Sequence, residues 1–327
     1  MTVQPARSRA MVPALHGAAG HETGRRIVVI LAFLAIAAVM PFMVDAYWQR
    51  VLIFTFVNIA LASSWNIIGG VAGYPSFGHG AFFGIGAYTS AMLIIRADLP
   101  FVVAIVGGGV VAGLFSLLFI PLFRQRGFYF ALSTLAAQMA VETIVRTWSF
   151  TRGIEQWDMG WNFPDLGSLT FFYYLMLGLL GLCLLSVVAL MASRVGYALK
   201  ALHKDEIVAA SVGVPATHYK SVAFVFSAIW PGVMGAAYGP FLVYISPDNV
   251  FSMSMTLNMI LISIFGGIGT VTGPILGGLV LSAIDQIAWS NFLEYHHLIY
   301  GIMIVTIISF WPGGLVSLIE KAWSKRK

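Results

Sequence analysis

The stretch GGVAGYPSFGHGAFFGIGAY, Gly69–Tyr88, decides how this chain folds. It concentrates seven glycines, a proline and a histidine between runs of almost pure hydrocarbon. Backbone that leaves the helix at membrane depth survives only where it packs on protein or lines a cavity. Gly69, Gly70, Gly73 and Pro75 are therefore read as a structural break beside a pathway, with Ser76 and His79 as its polar groups, the alternative being a plain cytoplasmic turn joining two spans. Behind it, Gly80, Gly84 and Gly86 with Ala81 and Ala87 form a small-residue face at helical spacing, which lets two membrane helices approach closely.

Composition extends this reading to the whole chain. Of 327 residues 59% are hydrophobic and 9% charged, with a mean hydropathy of +0.88, whereas soluble domains carry about 25% charged residues. The apolar runs have the length of spanning helices, about 20 residues, and lack the short alternation of barrel strands. The expected fold is an all-α, polytopic helical membrane protein of ten spans, near 27–44, 50–68, 81–96, 99–123, 128–148, 169–192, 221–244, 251–266, 273–290 and 297–318. Flexible cytoplasmic tails are expected at 1–26 and, rich in basic residues, at 319–327.

Charge then sets orientation. Placing the N-terminus in the cytoplasm puts 14 of the 18 Lys and Arg residues inside, leaving Arg50, Arg96, Arg146 and Arg152 at the outer face. Both termini are then cytoplasmic, 149–168 is an outer loop and 194–220 an inner one. The net charge of +5 reports this topology, since no aromatic-interleaved basic face for nucleic acid accompanies it. One cysteine, Cys183, excludes an internal disulfide and a thiolate metal cluster.

A second break, GGIGTVTGPILGG at Gly266–Gly278, supplies Gly266, Gly267, Gly273 and Pro274. Both breaks open on a glycine pair and follow an apolar run containing an asparagine, Asn58 or Asn258. Paired breaks of this kind mark translocation paths in transporters, so Asn58, Ser76, His79, Asn258 and Asp285 are the candidate path residues. Glu142 and Arg146, at i and i+4, are expected to pair on one face of the fifth span.

The inner loop reads ALKALHKDEIVAASVGV from Ala198, with good helix formers, the acidic pair Asp205 and Glu206, a small patch at Ala209, Ala210 and Ser211, and stops at Gly213 and Pro215. It shows no clean amphipathic stripe, so a helix seated in a partner's cleft is preferred to one lying on lipid. Neither long loop is large enough for a soluble catalytic domain. The chain contains no GxxxxGK[ST], HExxH or GxSxG motif, and the adjacent His296 and His297 point to different helix faces. No catalytic, cofactor-binding or metal site is expected.

Four ordered blocks carry a resemblance to the LivM-type permeases of branched-chain amino acid ABC importers: SFGHGAFFGIGAYTSAML (Ser76–Leu93), RGFYFALSTLA (Arg126–Ala136), ALKALHKDEIVAASVGVPATHYKSVAFVFSAIWPGVMGAAYG (Ala198–Gly239) and SMTLNMILISIFGGIGTVTGPILGG (Ser254–Gly278). The resemblance implies a bacterial inner-membrane importer in which a periplasmic or lipid-anchored binding protein delivers the solute. A second, LivH-like permease completes the path, and two ATP-binding subunits use the ATP. It implies a branched-chain amino acid or a related amino acid or amide as solute. It makes Lys204, Asp205, Glu206, Ala209, Ala210 and Gly213 the loop that couples to the ATP-binding subunit. The competing expectation, from the glycine breaks and intramembrane charges alone, is a stand-alone secondary transporter or channel for a small polar solute.

Overall fold

The computed structural model describes residues 11–148, 160–291 and 313–317, with side chains described for 23–148, 160–286 and 313–317. Twelve α-helices follow in order among the described residues: α1 Met11–Val39, α2 Ala46–Asn66, α3 His79–Ala91, α4 Phe101–Ser116, α5 Phe128–Thr147, α6 Leu169–Ala192, α7 Arg194–Lys204, α8 Glu206–Ser211, α9 Ala216–Leu242, α10 Pro247–Val250, α11 Met253–Gly267 and α12 Gly273–Asn291. Short π-helical turns extend α2 through Ile67–Val71 and α3 through Met92–Arg96, and a 3-10 stretch, Leu117–Arg124, continues α4 past Pro121.

Seven of these helical segments are long and apolar enough to cross a membrane: Thr23–Phe42, Ala46–Val71, Phe101–Arg124, Phe128–Thr147, Leu169–Ala192, Ala216–Leu242 and Pro247–Gly267. The protein is a polytopic helical membrane protein. Of the other expected spans, 81–96 is the short glycine-rich α3 with its π turn, and 273–290 is α12, diluted by Asp285 and Gln286. Apart from 313–317, the expected span 297–318 lies outside the described residues, as do 149–159 of the outer loop and the C-terminal tail. Helix α1 begins at Met11, inside the stretch expected as a tail, where alanines favour helix.

Burial ranks the helices. In the apolar window of α2 with its π turn 83% of residues are buried and in that of α9 67%, against 11% for α1. Helices α2 and α9 are therefore the centre. Helices α3 and α4 pack on α9, while α6, α11 and α12 pack on α2. The α3–α9 crossing is a backbone contact, because a methyl group on Gly86 would overlap the Gly232 carbonyl. This is the close approach anticipated from the small-residue face of α3.

One feature escaped the sequence reading. Trp161–Asn162 (β1) pairs antiparallel with Tyr244–Ile245 (β2), tying the end of the outer loop to the end of α9. Val243, at φ 66°, turns the chain out of α9, and its carbonyl accepts from Phe163 N–H at 2.7 Å. Trp161, within the ribbon, is buried, with the Arg96 guanidinium 4.9 Å from its ring centroid.

Gly86→Val should separate α3 from α9 and destabilise the protein by about 1–3 kcal/mol, as overpacking does. Gly178→Val, where an added Cβ meets nothing within 4 Å, should leave the thermal midpoint in detergent unchanged. Equal midpoints for the two variants would refute the crossing.

Candidate functional site

The first glycine break is built where α2 stops. Its π turn ends at Val71, and two residues on the φ of +75° at Gly73 lets Tyr74 N–H reach back to the Ile68 carbonyl at 2.9 Å. From Ala72 to Gly78 the chain is irregular, yet Ala72, Tyr74, Ser76 and Gly78 are buried. Side chains satisfy its backbone one group at a time. The Ser76 carbonyl accepts from Trp65 Nε1 at 2.7 Å, and Phe77 N–H donates to Thr134 Oγ1 at 3.0 Å. Gly78 N–H donates to Ser76 Oγ at 3.2 Å, and Gly80 N–H to Thr256 Oγ1 at 3.0 Å. Thr256 in turn donates to Gln138 Oε1 at 3.0 Å, and Gln138 Nε2 to the Phe251 carbonyl at 3.1 Å.

The two breaks touch. The Asn66 amide accepts from Gly269 N–H at 2.8 Å and donates to the Thr270 carbonyl at 2.7 Å, so one side chain pairs with the backbone of the second break as a neighbouring strand would. Gly70 must be glycine here, since a Cβ would lie 2.5 Å from Gly269 N. Within the second break Gly267 and Gly269 adopt φ of +134° and +76°, and Gly273 N–H caps onto Thr270 Oγ1 at 3.0 Å. Pro274 then sits in the first turn of α12, where its missing N–H costs nothing.

Both polar residues proposed within the first break are enclosed by this chain. Ser76 and His79 have no solvent exposure. Because Ser227 Oγ donates to the Phe224 carbonyl at 2.8 Å, His79 Nε2, 3.1 Å from that hydroxyl, is the donor between them. Nδ1 is left as an enclosed acceptor with no partner, while Phe82 and Phe224 meet the ring edge-on. His79 thereby pins α3 to α9. Asn58 is also buried, on α2, whereas Asn258 on α11 and Asp285 on α12 are half-buried. Next to Asp285, Gln286 donates to the Tyr47 hydroxyl.

The inner loop folds as two helices with different roles. Helix α7 does carry an apolar face, burying Gly196, Ala198, Leu199 and Leu202, which corrects the reading that the loop lacks an amphipathic stripe. The stripe is short and ends at Lys204, so α8 and its charges obscured it. Asp205 caps α8, its Oδ1 accepting from Ile207 N–H at 2.8 Å and Val208 N–H at 3.0 Å. In α8 Ala209 is buried and Ala210 exposed, and the turn beyond it ends at Gly213, φ +85°, whose Cβ position faces open space. Ile207, Val208 and Val212 are 74%, 59% and 75% exposed.

The loop and the first break are joined by charge. Lys220 Nζ donates to Glu206 Oε1 at 2.7 Å and to the Tyr74 hydroxyl at 2.5 Å, and it lies 4.0 Å from the Tyr74 ring centroid. Tyr74 donates to Glu206 Oε2 at 3.0 Å, and Arg126, largely exposed, approaches the same oxygen at 3.7 Å. Burial alone lifts the Glu206 pKa. The hydrogen bonds from Lys220 and Tyr74, with the charges of Lys220 and Arg126, outweigh it and hold the carboxyl below its usual range. At the other end of α5, Arg146 pairs with Glu142 at 2.7 Å, as expected, and with Asp248 at 2.7 Å. Arg126 precedes this 20-residue helix and Arg146 lies in its last turn, so the ion clusters are separated by about 30 Å, one hydrocarbon thickness.

The breaks and the inner loop lie within the match to a family model described as the branched-chain amino acid transport system, permease component, which covers residues 47–308. The chain belongs to this permease family. It is 27% identical to the high-affinity branched-chain amino acid transport system permease protein LivM of Salmonella typhimurium and, equally, to that of Escherichia coli K12, with 94% of this chain and 78% of each relative aligned. It is 22% identical to the corresponding permease protein LivH of Escherichia coli K12, over 78% of this chain and 90% of that one. This permease thus resembles two distinct permease proteins of one named transport system.

Sequence reading missed Asn66, Tyr74 and Lys220 as members of the permease's break-and-loop assembly. An asparagine beside a glycine pair and a lysine just inside an apolar run were the available signals.

Because the lowered carboxyl pKa of Glu206 is a folded-state property, its stabilisation is complete above the ordinary carboxylate pKa and is lost as pH falls through the folded-state value. Glu206→Gln should therefore flatten the acid limb of the pH–stability profile while lowering stability at neutral pH. An unchanged acid limb would contradict the ion pairing.

Proposed function

We propose that this permease is one of two that together line the path of an ATP-driven importer in the bacterial inner membrane. Its solute is a branched-chain amino acid or a related small amino acid or amide, as the relatives' names suggest. A solute-binding protein delivers the solute at the outer face, and the partner subunits bind and hydrolyse ATP. The chain's likeness to both LivM and LivH supports a path formed between two similar permeases.

The observation that carries the coupling assignment is the exposed apolar set Ile207 and Val208 on α8 and Val212 at its C-cap. This helix lies in a charged loop outside the spans, flanked by Lys204 and Asp205, so hydrocarbon does not cover it. Apolar side chains grouped on so short a helix suit a protein cleft. Ala210 and Gly213 add little bulk, and the turn at Gly213 keeps the helix end blunt. Along the path, Asn258 and Asp285 are the candidates able to meet solute directly. Ser76 and His79 act by holding the break closed.

Coexpression with ATP-binding subunits, a second permease and a binding protein tests this reading. In liposomes, import should require ATP and the binding protein. Gly213→Trp should lose the ATP-binding subunits on purification, while its backbone strain costs only about 1–2 kcal/mol. Normal retention and import by Gly213→Trp, or ATP-independent flux through the chain alone, would overturn the assignment.

A further inference from the structure

We propose that Tyr74, Glu206 and Lys220 form the link through which motion of α8 reaches the first glycine break, and hence the path. The three residues come from three elements: the irregular segment before α3, the first turn of α8 and the first turns of α9. Nothing else ties these elements by charge among the described residues.

The Lys220 side chain is 3% exposed, so its ammonium is withdrawn from water and depends on the groups around it. Those groups are the Glu206 carboxylate at 2.7 Å, the Tyr74 hydroxyl at 2.5 Å and the Tyr74 ring at 4.0 Å. Glu206 cannot move away without stranding that charge, so Lys220 and Tyr74 follow it. Helix α8 is otherwise lightly held, touching α7 and the start of α9 while most of its side chains are exposed. A load applied to its exposed face therefore arrives at Glu206.

The receiving end is adjacent. Gly73 lies against the His203 ring of α7, within the irregular segment that contains Tyr74. That segment continues into α3, whose Gly86 sits on the α9 backbone at Gly232, and its preceding turn is clamped by Asn66 to the second break. A displacement of Tyr74 thus acts on both breaks, whereas Arg126, 69% exposed, adds only a screened attraction. Tyr74, Glu206 and Lys220 are positioning residues, acting through the break and not on solute.

The proposal rests on α8 seating in the ATP-binding subunit, and the experiment separates the two. In the complete importer reconstituted in liposomes, three quantities are measured: retention of the ATP-binding subunits, ATP hydrolysis, and solute imported per ATP hydrolysed. Tyr74→Phe keeps the ring and removes the bridging hydroxyl, and Lys220→Met removes the buried charge. Both should retain the subunits and hydrolyse ATP, while solute per ATP falls about fivefold or more, the lower edge of a typical coupling free energy. The exchange Glu206→Lys with Lys220→Glu should recover part of the ratio lost in Glu206→Lys alone. A wild-type ratio in Tyr74→Phe and in Lys220→Met, with the subunits retained, overturns the link. A wild-type complex that fails to hold ATP-binding subunits overturns the docking reading, and the link with it.

Discussion

A helix that stops inside a membrane protein exposes carbonyl and amide groups that hydrocarbon cannot solvate, each costing several kcal/mol if left unpaired. Here that requirement falls on Asn66, the last α-helical residue of α2, whose amide satisfies one donor and one acceptor of a second interrupted helix about two hundred residues away. The interruption of α2 and that of α11 are therefore not independent. Each supplies the surface against which the other stops being helical, with Gly70 and Gly269 permitting the approach.

Around that contact the remaining polar groups are distributed for the same reason. Trp65, Thr134 and Thr256 each take one backbone group of the first break, and Gln138 completes Thr256. His79 holds the following helix to α9 through Ser227, and Lys220 brings the only buried ammonium among the described residues to the N-terminal end of α9. The break is thus a largely buried piece of irregular backbone held by these side chains and joined to the inner loop through the hydrogen bonds of Tyr74 to the Lys220–Glu206 ion pair. A permease with such a joint converts loop position into backbone conformation.

How much of this could be read from the sequence depends on the range of the interaction. Helical class, the small-residue face of α3 and the Glu142–Arg146 pair are local signals of composition or spacing, and the structure carries each of them, whereas both glycine pairs stay helical, in the π turn Ile67–Val71 and at the end of α11, and the chain turns irregular only after them. Asp248, which joins that pair from 102 residues away, was invisible because its role exists only after folding. The same is true of Asn66 and of Tyr74 with Lys220. The β1–β2 ribbon is two residues long on each strand, too short for a periodic signal. The face of α7 was hidden because the loop was read as one helix, whereas Asp205 divides it in two.

With Asn66 clamping the breaks together and Tyr74 tied to Glu206 and Lys220, the two breaks and the inner loop should behave as one mechanical unit. Hydrogen exchange of the assembled importer, compared with and without nucleotide, addresses it most directly. Amides of 67–80 and of 266–273 should change protection together, and in step with those of 205–214. A change confined to the inner loop, or to one break while the other stays protected, would contradict the account.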